Sequence, residues 1–192
     1  MKLWFARVFY RAGLFWWSKW SMLYRRLYHK KYEYLLIMPC APTVANETLR
    51  RIMWSPDTPK ELWDACGSPG WVQHCLNEER LTGVIPEGAL DCDDFSAWAC
   101  ESLTKAAYNT QLLTVVYMRD GELHGHVVCM ITEHVDKDTN TYRHLSNWGL
   151  SPKFADRLLL IADILNTAKA QDIVGWALLG HRDMKVHIWR VG

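Results

Sequence analysis

The chain has 192 residues, of which 49% are hydrophobic and 22% are charged, enough for one sizeable core and too few for two. Eight of its 22 basic residues lie within the first 31 positions, which contain no acid, so the rest carries 14 bases against 21 acids. A net charge of about −7 after residue 31 argues against a nucleic-acid-binding surface there, because such surfaces carry a basic excess.

The six cysteines show no CxxC pair and no regular spacing, and no secretory signal precedes them. This usage is typical of a reducing compartment, so we expect a cytoplasmic protein without disulfides. Cys66, His74 and Cys75 lack a fourth ligand at a spacing known for zinc. We therefore expect neither a metal nor a cofactor.

Residues 1–34 contain 12 of the 24 aromatic residues and predict a basic amphipathic helix. One narrow face carries polar residues: Arg7, Arg11, Ser18, Arg25 and His29. The opposite face carries apolar residues: Phe5, Phe9, Trp16, Trp20, Leu23 and Leu27. Such a helix suits the inner face of a membrane, where it would lie in the interface, and equally suits packing against this domain or a protein partner. A complete membrane span is disfavoured because no 18-residue stretch here lacks charge.

The remaining residues, 35–192, predict one α+β domain. Short helical stretches are expected at 60–66 and 71–80, and a buried central helix runs from Asp91 to about Tyr108. Strands are expected at 112–118, 126–132 and 141–147, followed by a helix from Ser151 to about Ala170. A closing strand at 185–191 is expected to pair with residues 173–179.

The stretch DCDDFSAW, residues 91–98, places a cysteine at the start of the central helix. Asp91 suits the N-cap position, and Asp94 three residues later suits an acidic form of the capping box. Cys92 then lies at the first helical position, where unpaired N–H groups stabilise a thiolate. The neighbouring acids oppose that charge, so a nucleophilic role for Cys92 requires a histidine nearby.

The strand after this helix supplies His124 and His126, which point to the same face. We expect His126 to act as the base and His124 to be a flanking surface residue. Asn147 ends the next strand, where antiparallel pairing can bring it beside His126 and let it orient the imidazole. The alternative is that Cys92 is an inert small apolar residue, as single cysteines at helix starts usually are.

Together DCDDFSAW, GHVV (125–128) and SNWG (146–149) resemble the transglutaminase-like cysteine peptidases of bacteria and phages, part of the papain-like group. The resemblance covers about residues 55–150. It implies a papain-like core with a central helix packed on an antiparallel sheet. It also implies a catalytic triad of Cys92, His126 and Asn147, with His126 identified by the small residue before it.

This chain departs from the family pattern at the oxyanion donor. Papain-like enzymes place a glutamine shortly before the cysteine, whereas Pro86 stands six residues before Cys92 here. The backbone N–H of Cys92 can serve as one donor, and Trp71 or Gln73 are candidates for another. Leu90 also replaces the glycine that usually precedes the acid–cysteine pair.

The sequence therefore predicts a cysteine-dependent hydrolase, a peptidase or amidase that acts on a peptide or amide substrate through an acyl-enzyme. Two alternatives remain open. One is a catalytically inactive fold of the same type that serves as a membrane- or protein-binding assembly module through residues 1–34. The other is an acyltransferase that uses the same three residues.

Overall fold

One antiparallel sheet with helices on both faces forms the described part of this computed structural model, which covers residues 3–51, 65–83, 90–136 and 139–192. The strand order is β4-β3-β2-β1-β5-β6. The strands are β1 Asn109–Arg119, β2 Glu122–His134, β3 Asn140–Ser146, β4 Gly149–Leu150, β5 Asp172–Leu179 and β6 Val186–Val191. The helices are α1 Leu3–Tyr24, α2 Pro42–Arg51, α3 Pro69–Thr82, α4 Cys92–Lys105 and α5 Arg157–Thr167. The predicted α+β class is confirmed.

The hairpin between β1 and β2 sets the register that positions His126. Asp120 and Gly121 form its two-residue turn with φ values of 53° and 79°, a left-handed conformation that glycine adopts without strain. Arg119 consequently pairs with Glu122, and Val115 pairs with His126. The long run of β-branched and aromatic residues in both strands favours this extended pairing.

Two hydrophobic clusters fill the two faces of the sheet. In β2, Val127 and Cys129 belong to the cluster formed with α4, whereas Val128 and Met130 belong to the cluster formed with α5. This is the period-two alternation of a strand buried on both faces. α1, α2 and α3 contribute to the α4-side cluster, so residues 1–34 share a core with the domain that follows them.

α1 packs on the domain with its polar side. Ala6, Tyr10 and Leu14 are buried there. Its polar side chains donate to main-chain oxygens of the domain: Arg7 to Ile173 (3.0 Å), Ser18 to Met184 (2.6 Å) and Arg25 to Cys66 (3.0 Å). The aromatic side of the predicted amphipathic helix faces outward. No described helix combines the length and apolarity needed to cross a membrane.

The last helix begins later than the sequence predicts. Ser151 does not cap it, because the Ser151 hydroxyl accepts from the His144 N–H at 2.8 Å and the chain continues extended to Phe154. The N-cap is Asp156, whose carboxylate accepts from the Leu158 N–H at 2.7 Å. The helix therefore runs from Arg157 to Thr167 rather than from Ser151 to Ala170.

The remaining predicted elements are found within a few residues of their expected bounds. The three central strands, the helix at 71–80 and the pairing of the last two strands are confirmed. α2 and the short β4 were not predicted. The helix expected at 60–66 lies outside the described residues.

Candidate active site

Cys92 occupies the first position of α4 and is half-buried. As predicted, Asp91 is the N-cap: its carboxylate accepts from the N–H groups of Asp93 at 3.2 Å and Asp94 at 3.1 Å. The Asp94 carboxylate accepts from the N–H of Gly67. A Cβ atom at position 67 would lie 2.5 Å from that carboxylate, so the contact depends on glycine. Two of the acids beside Cys92 thus hold backbone groups in place.

A buried guanidinium balances the acids at this end of α4. The Sγ atom of Cys66 and the carboxylates of Asp93 and Asp94 lie within 4.8 Å of one another, a grouping that can hold a metal ion. Arg25 donates to Cys66 Sγ at 2.9 Å, so a fixed positive charge already sits beside this group. Burial raises the pKa of the Cys66 thiol, more than Arg25 lowers it, and a neutral thiol is a poor metal ligand.

His126 is buried beneath Trp148. The two rings stack with centroids 3.9 Å apart and planes inclined by 24°. Burial, with a smaller contribution from the charge of His144, lowers the pKa of His126 to about 3. The imidazole is therefore neutral at physiological pH and a weak base, and its Nε2 atom is buried without a hydrogen-bond partner.

Asn147 lies in the two-residue turn between β3 and β4, not within the strand as predicted. Its Oδ1 atom is also buried and without a hydrogen-bond partner. Nε2 of His126 is a nitrogen that can donate, and Oδ1 of Asn147 is an oxygen that accepts. Since each atom lacks a partner, no hydrogen bond joins His126 Nε2 to Asn147 Oδ1 in this structure.

Ser96 joins the start of α4 to the strand that carries His126. Its hydroxyl lies 2.6 Å from the carbonyl oxygen of Cys92 and 3.0 Å from that of Val127, the residue after His126. One hydroxyl group therefore bridges the main chain of the candidate nucleophile and the main chain next to the candidate base.

The side chain of His126 lies on the α5 side of the sheet, since it alternates with Val127 on the α4 side. Cys92 packs against the α4-side cluster, on the other face of the sheet. The pKa of Tyr117 is raised mainly by burial, and a Cys92 thiolate raises it further. Tyr117 pairs with His124 and stacks on it at 5.9 Å. The β2–β3 pairing extends only from Cys129 onward, so the His126 end of β2 has no β3 partner at this edge.

His144 is a neighbour of the site that sequence reasoning missed. It is buried on β3, and its Nε2 donates to the Asp163 carboxylate of α5 at 3.1 Å. Burial lowers the pKa of His144, while Asp163 opposes that shift. Strand alternation in the sequence is enough to predict that His144 and His126 lie on the same face of the sheet. Nothing in the sequence pairs His144 with Asp163 of α5.

The two side-chain candidates for the oxyanion donor have other partners. Gln73 accepts from the Trp98 indole N–H at 3.0 Å and donates to Asn77 at 3.0 Å. Trp71 packs among aromatic rings and stacks on His29 at 5.2 Å. Both residues therefore stabilise the contacts of α3, and we assign neither of them to the site.

Comparison with known proteins leaves the family unassigned. No family model matches the chain, and no curated protein matches it.

Proposed function

We propose that this protein is a cysteine-dependent hydrolase, a peptidase or amidase with a core similar to the transglutaminase-like and papain-like peptidases. Cys92 is the nucleophile, His126 the base and Asn147 the residue that orients the imidazole. The observation that carries the proposal is the Ser96 bridge between Cys92 and the residue after His126. The bridge brings the main chain of Cys92 close to the main chain next to His126, at one end of α4.

In the proposed reaction, His126 accepts the thiol proton of Cys92 as the sulfur attacks the carbonyl carbon of an amide. The tetrahedral intermediate then collapses, His126 returns the proton to the leaving amine, and an acyl-enzyme remains. Water releases the acid by the same steps in a second round. The helix N-terminus favours the thiolate, whereas the burial that lowers the pKa of His126 to about 3 disfavours the imidazolium formed in this step.

The Asn147 side chain suits the orienting role because its Oδ1 has no other partner. A hydrogen bond from His126 Nε2 to this oxygen would leave Nδ1 to face the thiol. Trp148 would shield that hydrogen bond from water, which strengthens it.

The test is the rate of iodoacetamide labelling at each cysteine between about pH 5 and 9, read by peptide mass spectrometry. Cys40 is the matched control, because it and Cys92 are the two half-buried cysteines while the other four are buried. We expect Cys92 to react faster than Cys40, and the advantage to disappear in His126→Ala but not in a variant of the exposed residue, His134→Ala. Equal rates at Cys92 and Cys40, unchanged by His126→Ala, would contradict the proposal.

The second candidate function is that of a catalytically inactive assembly module. The burial of His126 beneath Trp148 favours it. A histidine with a purely structural role would also be buried beneath an indole and have its pKa lowered to about 3. The labelling experiment separates the two, since a structural His126 has no effect on Cys92 reactivity. If Cys92 is reactive, adding primary amines to an acylated sample distinguishes acyl transfer from hydrolysis.

We also propose that the protein works in a reducing, cytoplasmic compartment, peripherally at the inner face of a membrane. All six cysteines are free, which suits reducing conditions. The outward side of α1 supports the peripheral location.

A further inference from the structure

The outward side of α1 is an exposed apolar surface along the whole helix and the turn after it. Leu23, its least exposed member, is 47% exposed, and Trp4, the most exposed, is 66% exposed. We call this surface the aromatic face of α1; its members are Trp4, Phe5, Val8, Phe9, Phe15, Trp16, Leu23, Leu27 and Tyr28. Contiguous apolar surface of this kind marks a site of interaction.

The helix cannot turn to bury this face against its own domain. Its other side is held by the donors Arg7, Ser18 and Arg25, whose acceptors lie on β5 and in loops of the domain. The Ser21 hydroxyl also accepts from the Cys66 N–H at 3.1 Å. Rotation would leave these buried polar groups unpaired, so the aromatic face must meet something outside the domain.

Exposed bases lie among the aromatic side chains. They are Lys19, Arg26, Lys30 and Lys31, whereas the Arg11 guanidinium lies over the Trp189 ring of β6. Lys19 Nζ lies 5.6 Å from the centroid of the Phe15 ring, so cations and rings share one surface. The sequence has no Asp or Glu before Glu33, so nothing within α1 neutralises them.

These charges favour one kind of partner for the aromatic face of α1 over another. A second copy of α1 packed on the first would bring like charges together with no acid to offset them. An anionic lipid surface complements both properties, because it takes apolar rings at headgroup depth and attracts each base by about 1 kcal/mol. The 22 residues of α1 span about 33 Å and are fixed lengthwise on the domain, so the whole aromatic face can meet a flat surface at once.

We propose that the aromatic face of α1 docks the protein on an anionic membrane, with the helix lying in the plane of the lipid headgroups. The apolar side chains enter the boundary between headgroups and acyl chains. Lys19 and Arg26 contact lipid phosphates. This inference stands on α1 alone and does not depend on the chemistry at Cys92.

The test is co-sedimentation of the full chain with vesicles of phosphatidylcholine containing phosphatidylglycerol, compared with pure phosphatidylcholine. We expect binding to the anionic vesicles that weakens as salt is raised, and much weaker binding to the neutral ones. The double variant Phe9→Gln and Trp16→Gln should lower the partition coefficient at least about tenfold. The charge variant Lys19→Glu with Arg26→Glu should abolish the preference for anionic lipid.

The matched control removes two exposed apolar side chains from another helix. Leu158 and Leu159 on α5 are 61% and 56% exposed, and the variant Leu158→Gln with Leu159→Gln should bind vesicles as the parent does. Circular dichroism checks that each variant is folded. The proposal is overturned if the parent sediments with neither vesicle, or if the Phe9 and Trp16 variant binds as tightly as the parent. A parent dimer that this variant converts to a monomer, with no lipid binding, would assign the face to a second copy instead.

Discussion

The indole of Trp148 covers the imidazole of His126, with ring centroids 3.9 Å apart. Because Trp148 is itself only 38% exposed, it withholds water from one side of the histidine. The stack links a turn residue to β2 and adds to the burial that lowers the pKa of His126. Substitution of Trp148 is therefore the most direct test of the candidate site.

Replacing Trp148 by alanine should raise the pKa of His126 from about 3 towards its ordinary value near 6.5, because water then reaches the ring and stabilises the imidazolium. An NMR titration of the histidine ring protons measures this change. The control is Trp16→Ala on the exposed side of α1, which should leave His126 unaffected. A His126 pKa that stays near 3 in Trp148→Ala would show that other neighbours cause the burial.

His126 should make the fold less stable in acid. Its pKa is near 6.5 in the unfolded chain and about 3 in the folded one, so the unfolded state binds more protons between these values. The free energy of unfolding should therefore fall as pH drops from about 6.5 towards 3, by up to about 1.4 kcal/mol per pH unit. Urea denaturation at several pH values measures the slope.

In that experiment, His126→Gln should flatten the dependence, and His134→Gln at an exposed position should not. His29, whose pKa burial lowers to about 4, contributes in the same direction between about 6.5 and 4. An identical slope in the parent and His126→Gln would mean that His126 is not buried as a neutral group.

Arg25 should be far more important for stability than its neighbour Arg26. Arg25 is buried and donates to oxygens of Cys66 and His181, whereas Arg26 is exposed. Arg25→Ala leaves those acceptors unpaired and removes the positive charge beside Asp93, which we expect to cost about 3–5 kcal/mol. Arg26→Ala should change the free energy of unfolding by less than about 0.5 kcal/mol. Similar values for the two variants would contradict the docking of α1 described here.

Glu101 should stabilise the contact between α4 and the loop before β6. It accepts from His181 Nε2 at 3.0 Å and from Arg182 Nε at 2.7 Å, and these bonds, that of His181 foremost, lower its pKa to about 2. Its contribution is complete above about pH 4.5 and is lost as pH falls towards 2. Glu101→Gln should cost about 1–3 kcal/mol at neutral pH, measured by urea denaturation, whereas the exposed Glu122→Gln should be near neutral. A cost below that of Glu122→Gln would contradict this role.

Ser96 should affect Cys92 in a way that another buried serine of α4 does not. Ser96→Ala removes the bridge to Val127, and Ser102→Ala removes a bond to the Met38 carbonyl at 2.6 Å. Each should cost about 1 kcal/mol of stability. Only Ser96→Ala should slow iodoacetamide labelling of Cys92. Equal labelling rates in the two variants would show that the bridge does not position the nucleophile.

Much of the fold was predictable because local physics specifies it. The runs of β-branched and aromatic residues predict the strands of the central hairpin, and Asp91 predicts the start of α4. Errors arose where a tertiary contact replaced a local one. Ser151 bonds the neighbouring strand instead of capping a helix.

By itself, the sequence determined the central helix and the main strands, the position of Cys92 at a helix start and the two chemical faces of α1. Each depends on residues close together in the chain, where spacing and capping chemistry determine the outcome. Only the tertiary structure decided that Trp148 covers His126, that Ser96 bridges two elements and that α1 turns its polar side inward. These depend on contacts between distant residues, and on buried donors that must find acceptors wherever the fold supplies them.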